Sequence, residues 1–138
     1  MFSRLQARHF RSLKQADCSL DRFHALVGPN ASGKTTFLDL LLFLGDVMRF
    51  RGDVPEAVGN RSADFSKLLW KGEGSSFQIA VESKIPTKIR EVMDKGKKDL
   101  SIVRYEVEIG LERESNEIGF NHETLWLCSE PKETPAQA

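Results

Sequence analysis

The loop at residues 28–35 constrains the fold of this chain more than any other feature of its sequence. It reads GPNASGKT and matches the pattern G-x-x-x-x-G-K-[ST]. A compact apolar run at residues 23–27 precedes the loop and predicts a buried strand. Apolar residues from 33 to about 49 predict a helix that lies on a sheet with much of its circumference buried. A strand, a glycine-rich loop and a helix in this order predict a phosphate-binding site.

The residue types in this loop fit the chemistry of a polyphosphate. A loop that wraps back on itself aims successive backbone N–H groups at the phosphates, and the first amides of the helix add further donors. Lys34 adds a positive charge, the Thr35 hydroxyl is a predicted Mg²⁺ ligand, and Thr36 is a predicted contact to the α-phosphate. The predicted phosphate-binding residues are Gly28, Pro29, Asn30, Ala31, Ser32, Gly33, Lys34, Thr35 and Thr36.

Two further points limit this interpretation. A glycine-rich turn that only caps a helix, with Ser32 and Thr35 serving the helix terminus, is the alternative, and the combined motif and context favour phosphate binding over it. Hydrolysis would also need an acidic residue for the metal shell and a group that orients water. Residues 125–130 imitate an apolar strand that ends in an acid, Glu130, but Ser129 stands where the metal-associated Asp would be. We therefore predict an ordinary antiparallel strand there and leave the catalytic residue unknown.

Length and composition predict one folded domain over residues 1–130, followed by a flexible tail at 131–138. A chain of 138 residues with 40% apolar content can bury one core but is short for two. Its longest apolar stretch, at residues 37–44, is far below the roughly 20 residues of a membrane-spanning helix. The N-terminus lacks the features of a secretory signal, which predicts a cytoplasmic protein with no membrane partner.

Charge is balanced over the whole chain but uneven along it. Twenty basic and twenty acidic residues give zero formal net charge, so any basic surface must be local. Residues 84–104 hold seven Lys and Arg against three Asp and Glu. These cations could follow a DNA backbone, or they could belong to a solvated helix or loop, the commoner case without interleaved aromatics. The two cysteines and three histidines have no spacing typical of a disulfide framework or a metal site.

The remaining pattern is rich in short strands. Residues 2–10 and 16–22 predict an antiparallel hairpin, and residues 51–75 predict a loop-rich connection with a short helix at 64–70. Alternating apolar residues at 77–81 and 103–111 predict two more strands, each with one buried face, and residues 118–126 form one more alternating set. The whole pattern predicts an α/β fold with α+β character, in which a central strand-loop-helix is joined to an antiparallel β subdomain.

The chain resembles the start of the ABC-type ATPases of the RecF, SMC and OLD-nuclease kind, often called AAA-family ATPases. The resemblance rests on GPNASGKT, on LQARHFRSL at residues 5–13 and on FLD at residues 37–39, and it is most specific over residues 1–50. It implies the N-terminal lobe of a P-loop NTPase with ATP and Mg²⁺ as cofactors. It also implies that Arg11 and Ser12 contact the nucleotide, with a solvated strand-end arginine as the alternative for Arg11. Gln78 is a weaker candidate for a glutamine between metal and γ-phosphate, and a solvent-facing strand residue is the favoured alternative.

The chain departs from that family in lacking the Ser-Gly-rich signature motif, the Asp-Glu strand and the switch histidine. We therefore expect an incomplete ATPase that is completed by a second ATPase head or a completing lobe, with DNA or a nuclease subunit as a further partner. The implied function is ATP-driven head association coupled to DNA repair or antiphage defence, with hydrolysis only after completion. The alternatives are a nonenzymatic nucleotide-binding regulator and a small P-loop phosphotransferase in which Lys84 or Arg90 closes over the phosphates.

Overall fold

The computed structural model describes residues 2–20, 34–49 and 53–130. The predicted strand at 23–27, loop residues 28–33 and the tail at 131–138 lie outside the described residues. No helix within the described residues is long and apolar enough to cross a membrane. In chain order the elements are β1 (Phe2–Phe10), β2 (Leu13–Ser19), α1 (Lys34–Arg49), α2 (Val54–Gly59), two 3₁₀ turns (Phe65–Leu68 and Trp70–Gly72), β3 (Ser76–Lys84), α3 (Thr87–Val92), a third 3₁₀ turn (Lys95–Lys97), β4 (Ile102–Leu111) and β5 (Ile118–Cys128).

The strands form one antiparallel sheet in the order β2-β1-β3-β4-β5. This confirms the α/β fold with an antiparallel β part, including the predicted hairpin of β1 and β2. The second strand of that hairpin begins at Leu13 rather than at residue 16, because Phe10 pairs directly with Leu13. The connection is therefore a loop of only two residues, Arg11 and Ser12, which places both at one end of the sheet.

Helix α1 lies on one face of the sheet and runs from the Arg11–Ser12 turn towards the opposite end. Its buried residues include Phe37, Leu40 and Phe43. The opposite side of the helix is exposed, with Leu42 at 65% and Leu38 at 51% of full exposure. The expectation that much of the circumference is buried is therefore wrong for the described residues, because the sheet covers only one arc of the helix.

Three phenylalanine rings join the helix to the sheet. Phe10, Phe43 and Phe77 are almost fully buried, and the Phe77 ring centre lies 5.0 Å from that of Phe10 and 5.5 Å from that of Phe43. The alternation of β1 breaks at His9, whose φ is 60°. Leu5 and Ala7 point into the core, and after this break Phe10 follows them inward while His9 is exposed. One left-handed residue thus turns an aromatic ring into the core.

The alternation predicted for residues 118–126 is interrupted by a bulge. The register shifts between Glu108 and Ile109, which pair with His122 and Phe120 and leave Asn121 as the extra residue. Beyond the bulge the faces are exchanged, so that Trp126 is opposite Arg104 on the polar side of the sheet. The alternating residues of this strand therefore do not all lie on one face of the sheet, because an inserted residue moves every residue beyond it to the opposite face.

Replacing Gly110 by Ala should destabilise the fold by about 1–3 kcal/mol, because the added methyl group overpacks this position. An ideal Cβ on Gly110 would lie 2.3 Å from the backbone oxygen of Ser75 and 2.7 Å from Cβ of Ser76. Gly119 is its register partner on β5, and a Cβ there meets nothing within 4 Å. Gly119→Ala should therefore change stability by less than about 0.5 kcal/mol. Urea unfolding followed by circular dichroism measures both, and equal losses would contradict the packing described.

Candidate functional site

The first turn of α1 meets the hairpin turn between β1 and β2. Helix α1 begins at Lys34, so the last two residues of the GPNASGKT loop and Thr36 open the helix. The hydroxyl of Thr36 lies 2.9 Å from the hydroxyl of Ser12. The first turn of α1 holds no acidic residue. The hairpin turn and the end of the GPNASGKT loop, which the sequence analysis identified separately, are therefore neighbours. They meet at the start of α1, where the helix dipole favours anions.

The hairpin turn is held in a strained conformation by a neighbouring segment. Arg11 has a φ of 47°, a conformation that costs a non-glycine residue about 1–2 kcal/mol. Its backbone N–H donates to the carbonyl of Leu68 at 2.9 Å, and Phe10 forms a β-bridge with Leu69. The segment at residues 65–72, which contains two of the 3₁₀ turns and is called the 3₁₀ segment below, therefore fixes the turn.

The Arg11 guanidinium is close to a carboxylate but not tightly bound to it. Its Nε lies 3.5 Å from Oδ2 of Asp39, longer than the roughly 2.7–2.9 Å of a charge-assisted hydrogen bond. Both of these atoms are buried and have no hydrogen-bond partner among the described residues. The other oxygen of Asp39 accepts a hydrogen bond from Nε of Arg61 at 3.1 Å. Arg11 is thus positioned beside α1, and its two terminal nitrogens, which form no hydrogen bond within the described residues, are left for an anion.

Arg61 anchors this arrangement, and our sequence analysis did not identify it. Its side chain is only 9% exposed. One terminal nitrogen donates to Asp46 at 2.7 Å and to the carbonyl of Ala57 at 3.1 Å, and the guanidinium lies 5.0 Å from the ring centre of Phe43. The sequence does contain one signal that a cation packs here. Asp39 and Asp46 lie two turns apart on one side of an otherwise apolar helix, and two carboxylates placed in this way require a positive charge nearby.

An open cleft of about 570 Å³ lies between these elements. Arg11, Ser12 and Thr36 line one side of it, and the 3₁₀ segment lines the other. At the end of that wall the backbone N–H and the hydroxyl of Ser66 both donate to Oδ1 of Asp64, at 3.0 and 2.7 Å. These hydrogen bonds lower the pKa of Asp64, so it stays ionised as a cap on the 3₁₀ segment.

The other sequence candidates do not reach this cleft. Gln78 is exposed on the face of the sheet that points away from α1, with its Nε2 3.5 Å from an oxygen of Glu108, which confirms the solvent-facing alternative. Glu130 pairs with Lys84 at 3.3 Å. That pair lies at the opposite end of the sheet, about 25 Å away at the usual rise per strand residue. Arg90 is bound there as well, through the carbonyl of Lys98 at 2.9 Å.

These positions exclude two sequence-based assignments. Glu130 is too distant to serve as the catalytic acid, and residues 125–128 belong to the antiparallel strand that we predicted. Lys84 and Arg90 are too distant to close over phosphates, so the phosphotransferase interpretation loses its proposed residues. Within the described ranges no group of three or more His, Cys, Asp or Glu side chains is arranged to hold a metal ion.

Comparison with known proteins identifies related sequences. The family model described as "AAA domain, putative AbiEii toxin, Type IV TA system" matches residues 23–137. A DNA replication and repair protein RecF of Proteus mirabilis is 52% identical over 52 residues, which is 37% of this chain and 14% of the relative. An OLD nuclease of Thermus scotoductus is 50% identical over 106 residues, 59% of this chain and 20% of the relative. The chain thus spans between 14% and 20% of the length of these two curated relatives.

Replacing Arg61 by Ala should destabilise the fold by about 1–3 kcal/mol, because two partly buried carboxylates on α1 lose their shared cation. Arg61→Lys should restore only part of this loss, since one ammonium cannot span both carboxylates. Arg4 provides the control, because its ion pair with Asp17 is 37% and 44% exposed. Arg4→Ala should cost less than about 1 kcal/mol. Urea unfolding compares the three variants, and an Arg61→Ala loss no larger than that of Arg4→Ala would contradict the anchoring role.

Proposed function

The chain belongs to the AAA domain family described as "putative AbiEii toxin, Type IV TA system", and on this premise we propose that it binds ATP at the start of α1. It is an AAA-type ATPase domain related to RecF and OLD nuclease. The observation that carries the proposal is the 2.9 Å contact between Ser12 and Thr36. It joins the hairpin turn to the helix that completes the GPNASGKT loop, so polar groups from both converge beside one cleft.

The residues at this position fit ATP and Mg²⁺. Lys34 and Arg11 supply positive charge, Ser12 and Thr36 supply hydroxyl groups, and no acid in the first turn of α1 opposes an anion. Thr35 is exposed at the helix start and would be the protein's hydroxyl ligand to the metal. When bound, Mg²⁺ neutralises phosphate charge during phosphoryl transfer. Residues 28–33 enter the proposal through their sequence pattern alone.

A second lobe is proposed to pack on the exposed side of α1. Leu38 and Leu42 present an apolar stripe there, and Gly45 continues it one turn further on. A glycine inside a helix costs about 1 kcal/mol relative to alanine, yet a Cβ on Gly45 would meet nothing within 4 Å. Close approach by another element would account for that glycine. Both relatives are several times longer than the matched region, so a segment of the ATPase outside this chain is the proposed occupant.

We infer that ATP binding joins two such heads and that their closure acts on DNA or a nuclease. Support comes from the relatives, which are a DNA replication and repair protein and a nuclease. Antiphage defence is the alternative setting, and the family description names a toxin–antitoxin system rather than repair. Two acids at the cleft are already bound to other groups: Asp64, which lines it, accepts hydrogen bonds from Ser66, and Asp39, beside Arg11, accepts one from Arg61. This engagement supports hydrolysis only after completion, and it keeps a nucleotide-binding regulator without turnover as the second candidate.

Lys34→Ala should weaken ATP binding at least tenfold while the chain remains folded, because the loop loses its only full positive charge. Isothermal titration calorimetry with ATP measures the affinity, and circular dichroism checks the fold. Lys88→Ala is the matched control, since it removes an exposed lysine from α3 at the far end of the sheet. An unchanged affinity in folded Lys34→Ala would refute the site.

The same ATP titration, run with and without Mg²⁺, distinguishes a residue that binds the metal from one that binds the phosphates. Thr35→Ala should weaken binding of Mg²⁺-ATP more than binding of ATP in the presence of a chelator, because only the metal loses a ligand. Thr35→Ser keeps the hydroxyl and should retain the Mg²⁺ dependence. Equal losses with and without Mg²⁺ would argue against Thr35 as a metal ligand.

The isolated chain should bind ATP but turn over far more slowly than about 1 per second, the low end of typical enzymes, because in the described part of the chain Asp39 and Asp64 are already bound by Arg61 and Ser66. Phosphate release assayed on the purified 138-residue chain tests this. Turnover of several ATP per second that is abolished by Lys34→Ala would contradict the need for a completing lobe.

A chimera tests the proposed packing surface. When this chain replaces the matching region of the Thermus scotoductus OLD nuclease, turnover should exceed that of the isolated chain. Leu42→Glu should remove the gain, because it charges the apolar stripe. Val92→Glu is the control, since Val92 is equally apolar, 84% exposed and located on α3. Equal activity in the two variants would contradict packing on α1.

A further inference from the structure

A group of cationic and aromatic side chains lies at the edge of the cleft, and Lys71 is the member that also lines it. The ring of His9 stacks on that of Trp70, with centres 6.4 Å apart and planes inclined by 30°. The ammonium groups of Lys14 and Lys71 lie 5.4 and 4.6 Å from the centre of the same indole. We call His9, Lys14, Trp70 and Lys71 the Trp70 cluster. It draws together β1, β2 and the 3₁₀ segment on one exposed surface.

The backbone is strained where this cluster forms. Four non-glycine residues with positive φ occur in the described part of the chain, and three of them are His9, Arg11 and Lys71, at 60°, 47° and 55°. Each such residue costs about 1–2 kcal/mol and persists only where the surroundings hold it. Two of the three belong to the cluster and the third lies beside it, so the fold holds strained backbone at the place where it presents these cations.

The lysines of the cluster form no ion pair in the described part of the chain, although the acidic residue Glu73 lies two positions after Lys71. Residues 8–16 contain Arg8, Arg11 and Lys14 and no acidic residue. Within the described ranges Lys14 and Lys71 form no salt bridge, whereas Arg4 and Arg104 are both paired with carboxylates. Two ammonium groups held within 5.4 Å of one ring centre repel each other, and an anion close to both offsets that repulsion.

We propose that the Trp70 cluster binds the phosphate backbone of nucleic acid. Contact with the indole orders the two lysine side chains in advance, which lowers the conformational entropy lost on binding. Because His9 and the lysines cover the ring, the contact is with phosphates rather than stacked bases, and it is independent of sequence. The inference rests on the proposed function for the choice of nucleic acid over other polyanions, and it places that strand next to the ATP cleft.

The other basic surface of the chain lacks these features. Residues 84–101 contain no aromatic side chain, so nothing there can order lysines as Trp70 does. Lys84 is paired with Glu130, and Lys88 and Lys95 are exposed on α3 and the third 3₁₀ turn. We therefore expect the cations of this region to be solvated, and they supply a control of equal charge.

Fluorescence anisotropy of a labelled mixed-sequence duplex, titrated with the 138-residue chain without ATP at several salt concentrations, tests the proposal. Each lost phosphate contact lowers the slope of log K against log salt by about 0.9. Lys14→Ala with Lys71→Ala should therefore lower the slope by about 1.8 and weaken binding at low salt. Lys88→Ala with Lys95→Ala should leave the slope unchanged. Equal effects of the two double variants, or no salt-dependent binding by the unsubstituted chain, would overturn the proposal.

Two further measurements separate this surface from the ATP site. Lys14 does not line the cleft, so Lys14→Ala alone should lower the DNA slope and leave the ATP affinity unchanged; a parallel loss of both would assign the cluster to the nucleotide and overturn the inference. Lys34→Ala should still bind the duplex. An unchanged ATP affinity in that variant would therefore reject the ATP site but would leave the proposed DNA contact at the Trp70 cluster unaffected. In Trp126→Phe, Trp70 is the remaining tryptophan, and its emission should change on DNA addition.

Discussion

The packing of Phe10, Phe43 and Phe77 sets the position of every element at the candidate site. The three rings come from the hairpin, from α1 and from β3, and their centres lie 5.0 to 6.1 Å apart. Their contact fixes how α1 lies on the sheet, and the start of α1 must reach the hairpin turn for Thr36 to meet Ser12. The polar contact is therefore a consequence of an apolar one, because a single hydroxyl pair contributes too little to position a helix of sixteen residues.

The core and the site also depend on each other through the backbone. Phe10 enters the core because His9 adopts a left-handed conformation, and the next residue, Arg11, is left-handed as well. Burial of one phenylalanine contributes about 1.5–3 kcal/mol, which is comparable with the strain of these left-handed residues at about 1–2 kcal/mol each. The same few residues thus fill the core, expose His9 to solvent and aim the Arg11 side chain at α1. We therefore expect sequence changes in this turn to affect both the stability of the fold and the geometry of the candidate site.

The sequence predicted those features that depend on local pattern. Period-2 alternation identified β3 and β4, and the apolar run after the loop identified α1. The bulge at Asn121 could not be predicted, because an extra residue becomes visible only when the partner strand is known. Nor could Arg61, whose partners are fifteen and twenty-two residues away along the chain. The GPNASGKT loop predicted where a nucleotide would bind, while the surrounding contacts come from long-range packing that no short motif encodes.

The carboxylate of Asp39 is shared unequally between two arginines, and this has a thermodynamic consequence. Nε of Arg61 lies 3.1 Å from one oxygen of Asp39, and Nε of Arg11 lies 3.5 Å from the other. An anion that draws Arg11 away removes one of two positive charges from Asp39, so the remaining pair with Arg61 must carry more of the attraction. Linkage is reciprocal: if anion binding changes the free energy of the contact between Arg61 and Asp39, breaking that contact changes the affinity of the cleft for the anion by the same coupling free energy. The shared carboxylate therefore makes the contact of α1 with Arg61, just beyond α2, an energetic partner of whatever fills the cleft.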